Sequence, residues 1–278
     1  MLKKYAVLCL ILALSAVLIV GCGRRRKKSG GEEEKKDAPT KTAYASKGDE
    51  GSITGHVMFD GQPPAADTID MSQDANCASS GGSKLTETYV VKDGKLANVF
   101  VYLKGGPADS FAYPTPSDAV NLDQKGCRYH PHVLGLMAGQ TLTVTNSDQA
   151  AHNVHPSPRV NEDFNKSQPP GAPAIEHKFA RPETLIPVKC NQHPWMKANI
   201  GVTAHPFFAV SGEDGSFAIK GVPPGSYTLV FWHEALGEQT QKVTVAANGT
   251  VSQDVTYKAG GAAKPATFLQ VEPELVLP

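Results

Sequence analysis

A cysteine, a histidine and a methionine lie within seven residues of one another, as Cys190-x2-His193-x2-Met196. Soft sulfur ligands together with imidazole nitrogen select copper, and two histidines, one cysteine and a weak axial methionine describe a blue-copper electron-transfer site. Such a site needs a second histidine from elsewhere in the chain. The candidate is His152, because an alternating strand over 139–146 leads into a polar turn just before it.

The order of these residues resembles the cupredoxins, most closely the short-loop amicyanin and plastocyanin type. The resemblance covers about residues 119–205 and consists of a strand that ends in asparagine, a turn, His-Asn-Val, and then Cys-x2-His-Pro-aromatic-Met before a final strand. His152 and Cys190 are 38 positions apart, as the two corresponding ligands are in that family. The resemblance implies that one copper ion is bound by four residues, namely His152, Cys190, His193 and Met196.

The same resemblance implies roles for three neighbouring residues. Asn153 would hydrogen-bond across to the cysteine loop and steady it, as metal sites require of the groups that orient their ligands. Pro194 and Trp195 would lie beside the ligands, with the indole either shielding the metal from water or serving as an ordinary core aromatic. Taken singly, each candidate has an ordinary alternative, since Cys190 could be a buried thiol and Met196 could fill a core. The order and spacing together favour copper.

A site of this kind favours one-electron transfer over catalysis, because it has no open coordination position and no acid–base pair beside it. We therefore expect an electron carrier that is not an enzyme and that serves an unidentified redox partner protein. A binuclear copper centre would need a second cysteine beside the first, and a copper oxidase or nitrite reductase would need further histidine clusters. Two alternatives remain open: a copper delivery or storage protein, and a metal-free adhesion or scaffold protein.

The N-terminus predicts export and lipid attachment. A basic start is followed by an apolar run, Tyr5 to Val20, and by Ile-Val-Gly-Cys, which resembles the bacterial lipoprotein cleavage box. Residues 1–22 would be the signal peptide, and Cys22 would become the lipidated N-terminus. A membrane-spanning anchor is the alternative, although the run is short for a hydrocarbon core of about 30 Å. The expected location is the bacterial cell envelope, either periplasmic or associated with the outer membrane, with the lipid as the membrane contact.

Residues 23–50 carry blocks of basic and acidic residues and almost no apolar ones, so they are predicted to be a disordered linker. The whole chain has 27 basic and 27 acidic residues and therefore no net charge. This balance gives no support for nucleic acid as a partner.

From Gly51 onward the pattern is all-β, with alternating apolar residues, frequent turns, 26 glycines and 21 prolines. The segment Asp214-Gly-Ser-Phe-Ala-Ile and the following Val222-Pro-Pro-Gly-Ser-Tyr-Thr-Leu resemble the carboxypeptidase regulatory-like, transthyretin-type β-sandwich. Its first strands would precede the copper motif. The predicted fold is a cupredoxin Greek-key β-sandwich inserted in, or adjacent to, this transthyretin-like β-sandwich.

The predicted boundaries follow from that nesting. The regulatory-like sandwich would comprise 51–106 and 206–258, the cupredoxin domain 107–205, and the C-terminal tail 259–278. Two consecutive domains, with 51–106 lending strands to the cupredoxin, are the alternative.

Five cysteines are present, of which Cys9 would leave with the signal peptide. After Cys22 and the candidate ligand are assigned, Cys77 and Cys127 remain, and a disulfide is the natural pairing in an exported protein. By the loop-entropy relation, a disulfide between these two cysteines would stabilise the folded protein by roughly 4 kcal/mol. Two competitors are open: a metal site at Cys127-x2-His-x-His, and a Cys127–Cys190 disulfide that would destroy the copper site.

Overall fold

Short strands joined by turns make up most of residues 41–259, the part of the chain that this computed structural model describes. The predictions for the signal peptide 1–22, the lipidated Cys22, the linker up to residue 40 and the tail from residue 260 lie outside the described residues. Within 41–259 the helical content is one α-helical turn of four residues and one 3₁₀ turn of four residues. The all-β prediction is confirmed. No helix in this described range has the length and apolar character needed to cross a membrane.

The strands are named in chain order. The first eleven are β1 (Thr42–Ala43), β2 (Gly51–Asp60), β3 (Val91–Lys92), β4 (Lys95–Leu96), β5 (Phe100–Lys104), β6 (Phe111–Ala112), β7 (Val120–Gln124), β8 (Tyr129–His130), β9 (Val133–Met137), β10 (Leu142–Asn146) and β11 (His152–Pro156). The remaining ten are β12 (Lys166–Gln168), β13 (Ile175–His177), β14 (Glu183–Lys189), β15 (Lys197–Thr203), β16 (Phe208–Val210), β17 (Ser216–Val222), β18 (Gly225–His233), β19 (Gly237–Val245), β20 (Thr250–Ser252) and β21 (Val255–Lys258). The helical turns are α1 (Ala75–Ala78) and the 3₁₀ turn Pro107–Ser110.

The first β-sandwich combines strands from both ends of the described chain. One sheet has the order β16-β5-β18-β19, and the other has β17-β2-β4-β3 with β20 and β21 also paired to β2. Alternation along β2 buries Ile53, Val57 and Phe59 in one core with apolar residues of β5, β18 and β21. Chain segments before and after the copper motif therefore share both sheets of this sandwich.

The second β-sandwich is built from the intervening strands. Its sheets have the orders β13-β10-β7-β8 and β12-β11-β14-β15-β9. The β7–β10 and β9–β15 pairs are parallel, whereas the β14–β15 pair is antiparallel. Residues of both sheets enter one buried core, which includes Leu122, Val144, Val154 and Ile200.

The connection from β2 to β3 leaves the first sandwich and packs on the second. Ile69, Met71 and Cys77 are buried in the second core, although the sequence analysis grouped them with the first. Cys77 and Cys127 form a disulfide. Cys190 is a free, buried thiol. The two competing assignments for Cys127 therefore do not occur in this structure.

Regular structure is present before residue 50, the predicted end of the disordered linker. Strand β1 pairs in parallel with β6, and the ring of Tyr44 stacks on Tyr113 at a centroid distance of 4.8 Å. The Tyr44 hydroxyl donates to Glu50 at 2.6 Å. The aromatic contacts of Tyr44 with Phe111 and Tyr113 bury apolar surface in this charged stretch.

The two sandwiches meet where aromatic rings of the first rest on glycines of the second. Gly135 of β9 and Gly201 of β15 are directly paired, and a Cβ added at either one would overlap the Phe100 ring. Phe100 is fully buried and stacks with Phe208 at 5.6 Å. The absence of side chains at the paired glycines lets the ring lie directly against the sheet.

This contact yields a stability prediction. Gly201→Ala should lower the free energy of unfolding by about 1–3 kcal/mol, because the added methyl group overpacks the Phe100 ring. Phe100→Leu should relieve part of that loss, so the two changes should be non-additive in a double-mutant cycle measured by denaturant unfolding. Additive costs would show that the Gly201–Phe100 contact does not control the junction.

Candidate metal centre

The four predicted ligands lie together at one end of the second sandwich. His152 begins β11, Cys190 follows β14, and His193 and Met196 lie in the loop that leads into β15. Their exposed fractions are 0% for His152, 2% for Cys190, 4% for His193 and 0% for Met196. The three side chains with nitrogen or thiol donors are thus shielded from water, and Met196 is buried in the same core as Cys190.

The loop that carries three of them is short and internally hydrogen-bonded. Its flanking strands end on the antiparallel pair Lys189 and Lys197. The Cys190 N–H donates to the Met196 carbonyl at 3.2 Å, and the Met196 N–H donates to the His193 carbonyl at 2.9 Å. Pro194 is exposed and occupies the second position of the turn that this second bond closes, where its fixed φ is favourable. Its role here is to shape the loop.

The candidate donor atoms converge. The Nδ1 atoms of His152 and His193 are 2.9 Å apart, and Cys190 Sγ lies 3.7 Å from His193 Nδ1. The donor atoms of all three residues fall within 4.8 Å of one another. Metal–nitrogen and metal–sulfur bonds of about 2.0–2.3 Å place neighbouring ligand atoms roughly 3–4 Å apart. The spacing and the donor chemistry therefore fit one soft or borderline metal ion.

A carboxylate holds the far nitrogen of each imidazole. His152 Nε2 lies 2.9 Å from Asp148 Oδ2, and His193 Nε2 lies 3.3 Å from Asp74 Oδ2. A proton on Nε2 lets each ring donate to its carboxylate and leaves the Nδ1 lone pair directed at the common space. Carboxylates that fix ring orientation and tautomer in this way are characteristic of metal-binding histidines.

Both aspartates are themselves anchored by backbone N–H groups. Asp148 accepts from Gly126 at 2.6 Å and from Cys127 at 2.8 Å. Asp74 accepts from the N–H groups of Asn76 at 2.8 Å and Cys77 at 3.1 Å, as the N-cap of α1. Neither aspartate was among the residues predicted from the sequence. For Asp148 a signal was its position four residues before His152.

The surroundings of Cys190 lower the pKa of its thiol, which favours the metal-binding thiolate. Burial raises the pKa of Cys190, but hydrogen bonds from His152 and from backbone N–H groups outweigh it, so the net shift is downward. Burial lowers the pKa of His152, yet Asp148 and Cys190 together raise it to about 9. Burial lowers the pKa of His193. The thiolate, the form of cysteine that binds metals, is stabilised here.

Asn153 connects the two segments that supply the ligands. Its side-chain oxygen accepts from the Asn191 N–H at 2.7 Å, and its own N–H points to Cys190 Sγ at 3.5 Å. Its amide nitrogen donates to Asn165 at 2.6 Å. These bonds hold the cysteine loop against β11, which is the contact that the resemblance implied for this residue.

Trp195 packs against the outer side of the centre. Its ring centroid is 5.0 Å from that of His193, and its indole N–H donates to the Cys127 carbonyl at 3.1 Å. The indole is half-buried against the second core. It therefore covers one side of the His193 ring and contacts the disulfide loop.

Comparison with known proteins gives a match to part of the chain. Residues 191–258 match the family model of the carboxypeptidase regulatory-like domain. Strands β16 to β21 of the first sandwich lie within that match, which begins in the ligand loop. No curated protein matches the chain.

Similar solved structures include copper proteins, each over a limited part of this chain. A Cu-containing nitrite reductase from Thermus scotoductus is 20% identical over 36% of this chain and 27% of its own, with a TM-score of 0.29. A purple cupredoxin from Nitrosopumilus maritimus is 24% identical over 31% of this chain and 100% of its own, with a TM-score of 0.27. Plastocyanin from Dryopteris crassirhizoma is 14% identical over 30% and 100%, with a TM-score of 0.27.

A second buried cluster of charged groups lies at the junction of the sandwiches. His132 precedes β9 and is hydrogen-bonded through Nε2 to Glu234, which follows β18, at 2.8 Å. With Trp195, both residues line a cavity of about 290 Å³. Burial lowers the pKa of His132, but the hydrogen bond to Glu234 together with the negative charges of Glu234 and Glu87 outweighs it, and the net shift is upward. Burial raises the pKa of Glu234, but the hydrogen bond to His132 together with the charges of His132 and His233 outweighs it, and the net shift is downward.

This ion pair should make the junction pH-dependent. Because the pKa of His132 is raised in the folded state, its contribution is complete below the unfolded value of about 6.5 and is lost as pH rises through the folded value. Glu234→Gln should therefore lower the free energy of unfolding by about 1–3 kcal/mol near pH 6 and by less near pH 9. Denaturant unfolding at both pH values measures the difference, with the exposed Glu213→Gln as control. An equal loss at both pH values would contradict the assignment.

Proposed function

We propose that this protein binds one copper ion through His152, Cys190 and His193, with Met196 as a weak axial ligand, and transfers single electrons. The convergence of two Nδ1 atoms and one thiol sulfur in a buried space is the observation that carries the proposal. Bound copper would supply a one-electron change between its two oxidation states.

The surroundings of the ligands support electron transfer over turnover of a substrate. All four side chains are nearly inaccessible to water, and both imidazoles are oriented before any metal binds. A pre-oriented donor set keeps reorganisation small, which favours rapid change of oxidation state. The half-buried indole of Trp195 packs against the His193 ring, with the centroids 5.0 Å apart, and would offer a short path for the electron.

Copper delivery is the second candidate, and it makes a different demand on the site. A delivery protein must release its metal to a partner. The far nitrogen of His193 faces Asp74 and Cys77, so this ligand is covered. Covered ligands favour a resident ion, which supports the electron carrier.

Substitutions of the four proposed ligands should have different effects, because each ligand has a different role at the metal. Cu(II) added to the protein should give an intense visible band, because the Cys190 thiolate donates charge to the metal. Cys190→Ser should abolish the band, since a hydroxyl is no comparable soft donor. Met196→Leu should retain copper and colour while the reduction potential rises, because the axial thioether is weak.

Met137→Leu, at another buried methionine of the second sandwich, is the matched control and should leave both spectrum and potential unchanged. Retention of the band in Cys190→Ser would refute the proposal. Equal loss of copper affinity in Met196→Leu and His193→Ala would do the same.

We further propose that the protein acts in the bacterial cell envelope, held by lipid on Cys22. The support is the basic start, the apolar run and the cleavage-box pattern of residues 1–22. Cys22→Ser should leave the signal peptide attached and yield a larger species without incorporated lipid label. Normal processing of that variant to a soluble form would argue for an ordinary signal-peptidase site instead.

A further inference from the structure

The loop of residues 67–86, which we call the lid, crosses from the first sandwich to the metal centre. Its two ends are joined by hydrogen bonds from Ile69 N–H to the Lys84 carbonyl at 2.7 Å and from Thr86 N–H to the Asp67 carbonyl at 2.9 Å. Arg128, from outside the lid, donates to the Leu85 carbonyl near its base. The lid is thus a closed loop with a defined base.

The middle of the lid lies directly on one ligand. Asp74 Oδ2 is 3.3 Å and Cys77 Sγ is 3.6 Å from His193 Nε2. His193 is consequently only 4% exposed. Trp195 packs against one side of its ring, and the lid residues Asp74 and Cys77 cover its Nε2 atom.

The disulfide fastens this lid to the groups that hold the other histidine. Cys77 belongs to the lid, whereas its partner Cys127 lies in the loop between β7 and β8. The Cys127 N–H donates to Asp148, which in turn holds His152, and the Cys127 carbonyl accepts from Trp195. One covalent bond therefore links the supports of both histidines.

We propose that Asp74 is a positioning residue of the metal centre and that the disulfide-fastened lid carrying it controls access to His193. Metal enters and leaves only when the lid opens, and the Cys77–Cys127 bond keeps the open state rare. This inference rests on the proposed function for its metal. The closure of His193 itself can be measured on metal-free protein.

The first test measures the reactivity of His193 without metal. Diethyl pyrocarbonate acylates accessible imidazoles, and peptide mass analysis reports each histidine separately. In the full-length metal-free chain, His193 should react slowly relative to the exposed His56. In the double variant Cys77→Ser/Cys127→Ser, His193 should react about tenfold faster or more, because the lid opens locally.

Buried His233 in the first sandwich and buried His152 in the second report whether the double variant is still folded. If His193 alone becomes reactive, the opening is confined to the lid. If the His193 rate relative to His56 is unchanged while His233 stays protected, the lid does not control access and the proposal is overturned.

The second test changes Asp74 without breaking the disulfide. Asp74→Asn keeps the Oδ1 acceptor that caps α1 but places an amide donor opposite His193 Nε2, so only the contact to the ligand is lost. Asp70→Asn is the matched control, because Asp70 lies on the same lid, is exposed, and caps the Ser72 N–H.

Asp74→Asn should raise the His193 reaction rate in the metal-free protein, whereas Asp70→Asn should not. In copper-loaded protein, Asp74→Asn should also raise the reduction potential, because removal of a nearby negative charge favours the less charged metal. It should speed release of copper to a chelator. Identical behaviour of the two variants would refute the positioning role. Failure of the wild type to bind copper would refute the proposed function, and the reactivity measurements would still decide whether the lid closes over His193.

Discussion

The centre depends on two carboxylate–imidazole pairs at one end of a β-sandwich, in which both imidazoles are buried. Each aspartate fixes the far nitrogen of one histidine, so the two near nitrogens face each other at 2.9 Å beside a thiol. Buried imidazole and carboxylate groups are expensive unless they are paired, and here they pair with one another and with backbone N–H groups. The same pairing leaves the two Nδ1 atoms and the Cys190 sulfur close to one another, at distances that fit one ion.

The supports of the site come from distant parts of the chain. Asp74 lies 119 positions from His193, on a connection that leaves the first sandwich, and the Cys77–Cys127 disulfide fastens that connection to the second. Phe100 on the paired glycines of β9 and β15, together with the His132–Glu234 pair, joins the two sandwiches at their junction. The first sandwich is thus connected directly to the loop that covers the candidate metal centre.

The ligand loop could be predicted from sequence because its chemistry is local: three donors within seven residues leave few alternatives. The all-β class followed from alternation and from frequent turn residues. Asp74 could not be predicted, because no local pattern links an N-cap aspartate in an irregular loop to a histidine so far along the chain. The order of residues 41–50 was missed since charge dominated the composition there, while the stacking of Tyr44 on Tyr113 depends on tertiary structure.

The central claim is that one cysteine and two histidines bind the same metal ion. Copper K-edge X-ray absorption on the protein loaded with one equivalent of copper tests it most directly, because it identifies the atoms bound to the metal. If Cys190, His152 and His193 bind the ion, the spectrum should show one short copper–sulfur bond and two copper–nitrogen bonds from imidazoles in each molecule. A first shell of nitrogen and oxygen alone, without the sulfur of Cys190, would contradict it.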